Sequence, residues 1–240
     1  MKRFKTPMND PDNPMNEPII SRRRVCGLGA VVGWSLSEFN RQAFGERPLR
    51  TTPPLTEGPF YPDRLPLDRD NDLILNGDPS TPATGTITNL TGRILTASGE
   101  PVADALVEIW QCDAHGVYLH TADSGRRGSQ RDTNFQGYGG FETAGDGGYR
   151  FRTIKPVAYP GRPAPHIHFK ISRGGRELLT TQLLIRGHRN NERDGVFRTI
   201  TDPAGRESVT ADFEPAPGTT SGELACRFDI VLGRTPAMDG

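Results

Sequence analysis

Histidine and cysteine are both scarce in this chain. Its 240 residues hold five histidines (His115, His120, His166, His168, His188) and three cysteines (Cys26, Cys112, Cys226), and neither His-Glu-x-x-His nor Cys-x-x-Cys occurs. A zinc site of the usual kind therefore lacks its third ligand. Excess charge is absent too: lysine plus arginine and aspartate plus glutamate each number 29, so the formal net charge is +0. That balance removes the electrostatic case for nucleic acid or an anionic membrane as a general partner. The apolar run from Val25 to Trp34 is too short to span a bilayer, so no membrane span is expected. Runs with helical periodicity are rare and no internal repeat is visible, whereas glycine (28) and proline (21) are plentiful.

Among the few histidines, two stand together in Pro165-His166-Ile167-His168-Phe169, with Tyr159 seven residues before His166 and Tyr118 further upstream. If 166–171 is a strand, residues i and i+2 share a face, so both imidazoles reach one metal while Ile167, Phe169 and Ile171 line the opposite, core-facing side. The two phenols then decide between metals. A free phenol titrates near pH ~10, so only a strongly Lewis-acidic cation holds it as phenolate at neutral pH. Hard anionic oxygen suits a small trivalent ion better than zinc. His166, His168, Tyr118 and Tyr159 together thus point to Fe(3+) and to oxygen chemistry.

Leu106-Val107-Glu108-Ile109-Trp110-Gln111-Cys112-Asp113-Ala114-His115-Gly116-Val117-Tyr118 resembles the first iron-tyrosine segment of the intradiol ring-cleavage dioxygenases. Tyr149-Arg150-Phe151-Arg152-Thr153-Ile154-Lys155-Pro156, with Ala158-Tyr159-Pro160 and the histidine pair, resembles the segment carrying that family's second tyrosine and both histidines. Thr56-Glu57-Gly58-Pro59-Phe60-Tyr61-Pro62 is similar to its substrate-side entry loop, and Thr180-Thr181-Gln182-Leu183 and Phe228-Asp229-Ile230-Val231-Leu232 also fit. The likeness runs over about residues 51–233, nearer the protocatechuate type than the catechol type. It implies a catalytic chain, because non-catalytic subunits of protocatechuate enzymes lack the ligand set. It also implies Fe(3+) held by Tyr118, Tyr159, His166 and His168, with Tyr159 taking a proton from the substrate. Arg162 would stabilise negative charge on the substrate, Gln182 would orient the ring, and Tyr61 would face the substrate. The implied reaction cleaves a small aromatic diol (protocatechuate, catechol or hydroxyquinol) with O2 to a cis,cis-muconate-type diacid. Pro165 lengthens the family's commoner Arg-to-His spacing, and Gly161 stands where protocatechuate enzymes often carry a bulky aromatic.

The fold expected is all-β, an antiparallel β-sandwich with long active-site loops, built from strands near 88–95, 105–112, 148–153, 166–172, 178–185 and 224–232. Residues 124–146 read as one long loop wrapping the site. Residues 1–50 form an N-terminal extension, 51–233 the catalytic domain and 234–240 a loose tail. In the extension, Arg22-Arg23-Arg24 before a short apolar run reads as a twin-arginine-type export signal, preferred over a helix that stays cytosolic. A Cys112–Cys226 disulfide and a homo-oligomer are left open. Two other classes stand beside the dioxygenase: a copper or zinc oxidoreductase using only the histidine pair, and a non-catalytic aromatic- or polysaccharide-binding module presenting Trp34 and Trp110.

Overall fold

A computed structural model describes residues 48–76 and 81–233. The export-signal reading of residues 1–47 and the tail 234–240 lie outside the described residues. Among the described residues ten strands and two short α-helices follow in order: β1 (Ile87–Thr96), β2 (Leu106–Trp110), α1 (Thr121–Arg127), β3 (Tyr138–Glu142), β4 (Gly148–Ile154), β5 (His166–Arg173), β6 (Arg176–Ile185), α2 (Pro203–Glu207), β7 (Thr210–Ala211), β8 (Phe213–Pro215), β9 (Leu224–Arg227) and β10 (Ile230–Leu232).

The strands form two five-stranded sheets. In the first, β1 is central, with β4 antiparallel on one side and β9 and β10, both parallel, on the other. The second runs β3-β2-β5-β6-β7, antiparallel except for the β6–β7 edge. Antiparallel pairing dominates, as expected of a sandwich, and the parallel partners of β1 are a departure from a wholly antiparallel fold. Leu90, Ile94, Tyr149, Phe151 and Ile230 from the first sheet, with Phe228 between β9 and β10, pack in one apolar core with Val107, Ile109, Ile167, Phe169 and Ile171 from the second.

Two expectations need correction. The strand read at 224–232 is broken at Phe228-Asp229, where Asp229 Oδ1 accepts the amide of Arg93 and the Phe228 carbonyl accepts the hydroxyl of Tyr149. Gly92 lies under that contact: a Cβ there would stand 1.9 Å from the Phe228 carbonyl oxygen. The loop read at 124–146 holds most of α1 and all of β3, which pairs with β2 from Leu106↔Glu142 to Trp110↔Tyr138. Its Gly139-Gly140 pair disguises the strand. A Cβ on Gly139 would meet the Asp70 carbonyl and Leu73 Cδ1 at 2.6 Å each, so the close chain crossing requires glycine. Cys112 and Cys226 are both buried and free.

β5 carries the alternation that places the site. Ile167, Phe169 and Ile171 are fully buried in the sandwich core, and each contributes roughly 1.5–3 kcal/mol by burial. A one-residue slip would exchange them with the histidines, so this packing fixes which face the imidazoles occupy. The bulge between Ile171 and Ser172 comes after the pair and leaves its register intact.

Candidate metal centre

His166 and His168 project from the face of β5 opposite the core and are only 1% and 2% exposed. The Ala164 carbonyl lies 2.8 Å from His166 Nδ1, so that nitrogen carries the proton and donates it, leaving Nε2 as a free lone pair. His168 stacks on Trp110 with ring centroids 4.8 Å apart and planes 9° apart, the two residues being direct cross-strand neighbours. Gly58 (φ +73°) closes the other side, where a Cβ would sit 3.4 Å from His168 Cε1. Burial, reinforced by the Arg162 charge, pushes His166 down to about 4. His168 falls well below its ordinary value through burial, then His166 and Arg162. Both imidazoles are therefore neutral at pH 7, the form that ligates metal.

Tyr118 comes from the loop after β2. Asp113 Oδ1 accepts the amides of His115 and Val117 and so folds that loop, and Gly116 supplies φ +75°. The Tyr118 amide donates to Asp123 Oδ2 at 2.9 Å, and Arg127 forks onto the same carboxylate while also donating to the Gly116 carbonyl at 2.8 Å. The ring is 1% exposed, packed on Phe60 (5.0 Å between centroids) and edge-on to Tyr159 (5.1 Å). Its oxygen lies 3.4 Å from His166 Nε2 and 3.2 Å from His168 Nε2. Burial above all, then Cys112 and Tyr159, holds the phenol well above its ordinary pKa.

Tyr159 and Arg162 close a tight turn, each donating its amide to the other's carbonyl, at 3.2 and 3.0 Å. Pro160 fits its second position and Gly161, at φ +94°, its third, the requirement of a type II turn. Tyr159 is half-buried, and burial raises its pKa more than Arg162 and Tyr118 lower it. The turn brings Arg162 back over the site despite the added Pro165. Its Nε donates to Asp194 Oδ2 at 2.8 Å and its Nη2 to Gln182 Oε1 at 2.9 Å. Gln182, fully buried and paired with His168 across β5–β6, donates its amide to the Thr56 carbonyl at 2.7 Å.

Tyr61 stands apart from these residues. Its hydroxyl donates to Glu108 Oε1 at 2.8 Å, which raises its pKa to about 12 together with the larger effect of burial. The Lys170 ammonium lies 3.9 Å from its ring centroid, so Tyr61 is tied to the outer sheet face. Phe60, its neighbour, packs against Tyr118 and Tyr159 instead. Four contributors escaped sequence reasoning: Phe60, the Ala164 carbonyl, Trp110 as a stacking partner of His168, and Asp194. The available signals were weak. Asp194 lies in a polar run, Asn190-Asn191-Glu192-Arg193-Asp194, that reads as ordinary surface loop.

The donor set fits a small metal ion. Ligand bonds of ~2.0–2.1 Å at ~90–110° place neighbouring donor atoms roughly 2.9–3.4 Å apart, which brackets the phenol–imidazole separations here. Among the described residues no group of three His, Cys, Asp or Glu side chains is placed to hold a metal. The oxygen beside the histidine pair is that of the Tyr118 phenol, with the Tyr159 ring packed against it. Trp110 is fully buried and offers no face to an external ring or polysaccharide.

Two imidazoles on a sheet face opposite two loop-borne phenols define the class, an all-β oxygenase, and residues 56–234 match the family model described as Dioxygenase. The protocatechuate 3,4-dioxygenase beta chain of Burkholderia cepacia is 35% identical over 211 residues, spanning 80% of this chain and 86% of that one. A 6-chlorohydroxyquinol 1,2-dioxygenase from Cupriavidus pinatubonensis is 32% identical over 232 residues, covering 89% and 75%. Among solved structures, the dioxygenase domain of a dioxygenase–carbohydrate-binding protein fusion from Streptomyces sp. SirexAA-E aligns with a TM-score of 0.58 at 27% identity, covering 78% of this chain and all of that one. The chain belongs to the intradiol ring-cleavage dioxygenases. Among the described residues no helix is long and apolar enough to cross a membrane.

Proposed function

We propose that this enzyme is a ferric-iron-dependent intradiol dioxygenase that cleaves a catechol-type aromatic with O2 to a cis,cis-muconate-type diacid. The observation that carries the proposal is the convergence of the Tyr118 oxygen on both imidazole Nε2 atoms, at 3.4 and 3.2 Å, with Tyr159 packed against the same ring. Tyr118, Tyr159, His166 and His168 would hold the iron, whose Lewis acidity keeps phenols and bound diol deprotonated and makes the ring reactive toward O2.

The protein's own contributions follow from burial and position. The neutral imidazoles enter ligation without losing a proton. Tyr118 is buried and held by its loop, a permanent donor. Tyr159 is half-buried on a turn, which supports its oxygen as the one that takes a proton from an incoming diol. Arg162 presents a fixed cation where the bound ring accumulates negative charge, and Gln182, anchored to Thr56, sets the ring's edge. Tyr61 holds the entry loop to the sheet through Glu108. The test is an anaerobic visible spectrum of iron-loaded protein before and after protocatechuate, catechol and hydroxyquinol in turn. A red-brown colour that shifts with one of them, then changes on admitting air, is expected. A colourless protein holding stoichiometric zinc or copper would refute the proposal.

A further inference from the structure

We propose that Asp194 is a positioning residue for Arg162, setting the plane of the guanidinium and the edge it turns toward the substrate; this rests on the function proposed above. Arg162 sits at the end of the Tyr159 turn on a long side chain with several accessible rotamers, so its direction needs an external anchor. A single carboxylate taking Nε and Nη2 together would be the common arrangement. Here the two acceptors come from different elements: Asp194 Oδ2 takes Nε at 2.8 Å and Gln182 Oε1 takes Nη2 at 2.9 Å. Two anchors on separate elements fix both the plane and its rotation. They leave Nη1 without a partner among the described residues, as the donor edge free for a bound anion.

Asp194 is suited to this because it is itself immobilised. It is fully buried, and its other oxygen, Oδ1, accepts the amides of Val196 and Phe197 at 3.0 Å each. Phe197 is seated in a second apolar cluster with Leu184 and Ala164. Leu184 pairs with His166 across β5–β6, and Ala164 supplies the carbonyl that orients His166. The anchor of Arg162 and the support of one imidazole therefore share a small core. Asparagine cannot replace the carboxylate: its amide N–H groups would face either Arg162 Nε–H or the two backbone amides.

The test compares Asp194→Asn, Arg162→Leu and the double variant in the iron-loaded full chain. Asp194→Asn should lower kcat by about 10- to 100-fold, as expected of a misplaced charge, with KM little changed and with iron content and resting colour as in the wild type. In the Arg162→Leu background it should add less than about twofold, because the group it positions is gone. Losses that multiply, or loss of iron and colour with Asp194→Asn, would overturn the proposal. Should Asp194→Asn not fold, Arg162→Lys decides. It keeps the charge but cannot reach both anchors, so turnover should fall nearly as far as in Arg162→Leu, and wild-type turnover would overturn the inference. Protection of the Arg162 Nε–H from solvent exchange, read by NMR on the gallium(III)-loaded full chain, separates the two proposals. If no catechol is cleaved, the assigned reaction fails. Protection lost in Asp194→Asn still upholds the anchor, and equal protection in both proteins overturns it.

Discussion

Replacing Tyr118 by phenylalanine removes one oxygen and leaves the ring. Its packing on Phe60 and Tyr159 does not use the hydroxyl, so the fold should survive at a cost of about 1 kcal/mol. The larger consequence concerns protons. A phenol with its ordinary pKa near ~10 already costs about 4 kcal/mol to ionise at pH 7, and burial of Tyr118 adds to that. Tyr118 is therefore protonated in the metal-free protein, and a metal it ligates must displace the proton. The same holds for Tyr159, raised by burial. His166, at about 4, and His168, lower than its ordinary value, carry no extra proton at pH 7 and release none. Raised pKa values mean that protons compete with the metal throughout the range below the phenol pKa, so apparent affinity should increase with pH, by about tenfold per unit for each phenol bound. Tyr118→Phe should release one proton fewer per iron than the wild type in a pH-stat titration with the same ferric chelate, lose one order from the pH slope, and lose much of the phenolate-to-iron visible band. Equal proton release with an unchanged band would remove Tyr118 from the ligand set.

The remaining predictions address the imidazoles, the cation and the scaffold. His166→Ala and His168→Ala should each lower bound iron by at least about 10-fold, measured by elemental analysis after gel filtration, and full retention in both would remove the site as described. Arg162→Leu should lower kcat by about 10²–10³-fold with iron in place, the range for loss of one preorganised charge donor, and unaltered turnover would show that Arg162 does not meet the substrate. Gly92→Ala places a Cβ 1.9 Å from the Phe228 carbonyl and 2.6 Å from the Tyr149 hydroxyl, so it should cost about 3 kcal/mol or more. That corresponds to a fall in Tm of roughly 6–12 °C, and a change under about 2 °C would contradict the packing described.

Much of the site is legible in the amino-acid order because it depends on local periodicity. Two histidines at i and i+2 with Ile167, Phe169 and Ile171 between and after them fix a face and a core in six residues. What is not legible there depends on distant partners. β3 is hidden by Gly139-Gly140, glycines needed because residues 69–73 cross there. The break at Phe228-Asp229 makes sense only beside Gly92 and Tyr149, more than 70 positions away. Asp194 looks like one acid in a polar loop until Arg162, 32 residues earlier, is seen to need an anchor. The family resemblance points to Arg162 and Gln182, but it does not indicate that each holds the other.

The two phenols hold their positions by different means, and the difference bears on mechanism. Tyr118 is 1% exposed; its amide is bound by Asp123, that carboxylate by Arg127, and Arg127 in turn by the Gly116 carbonyl. Withdrawing it would break the amide bond to Asp123 and strip packing from Phe60. Tyr159 hangs from a four-residue turn and is half-buried, so swinging its ring outward breaks little beyond contacts with Tyr118, His166 and Phe60. A Cβ on Gly116 would come within 3.2 Å of Tyr159 Cβ, so the rigid loop forms the floor on which the looser one rests. A centre that must admit a diol needs one donor that yields and others that do not. On the function proposed above Tyr159 would be the yielding donor, because the imidazoles are fixed by the register of β5 and Tyr118 by the bond of its amide to Asp123 and by its packing on Phe60.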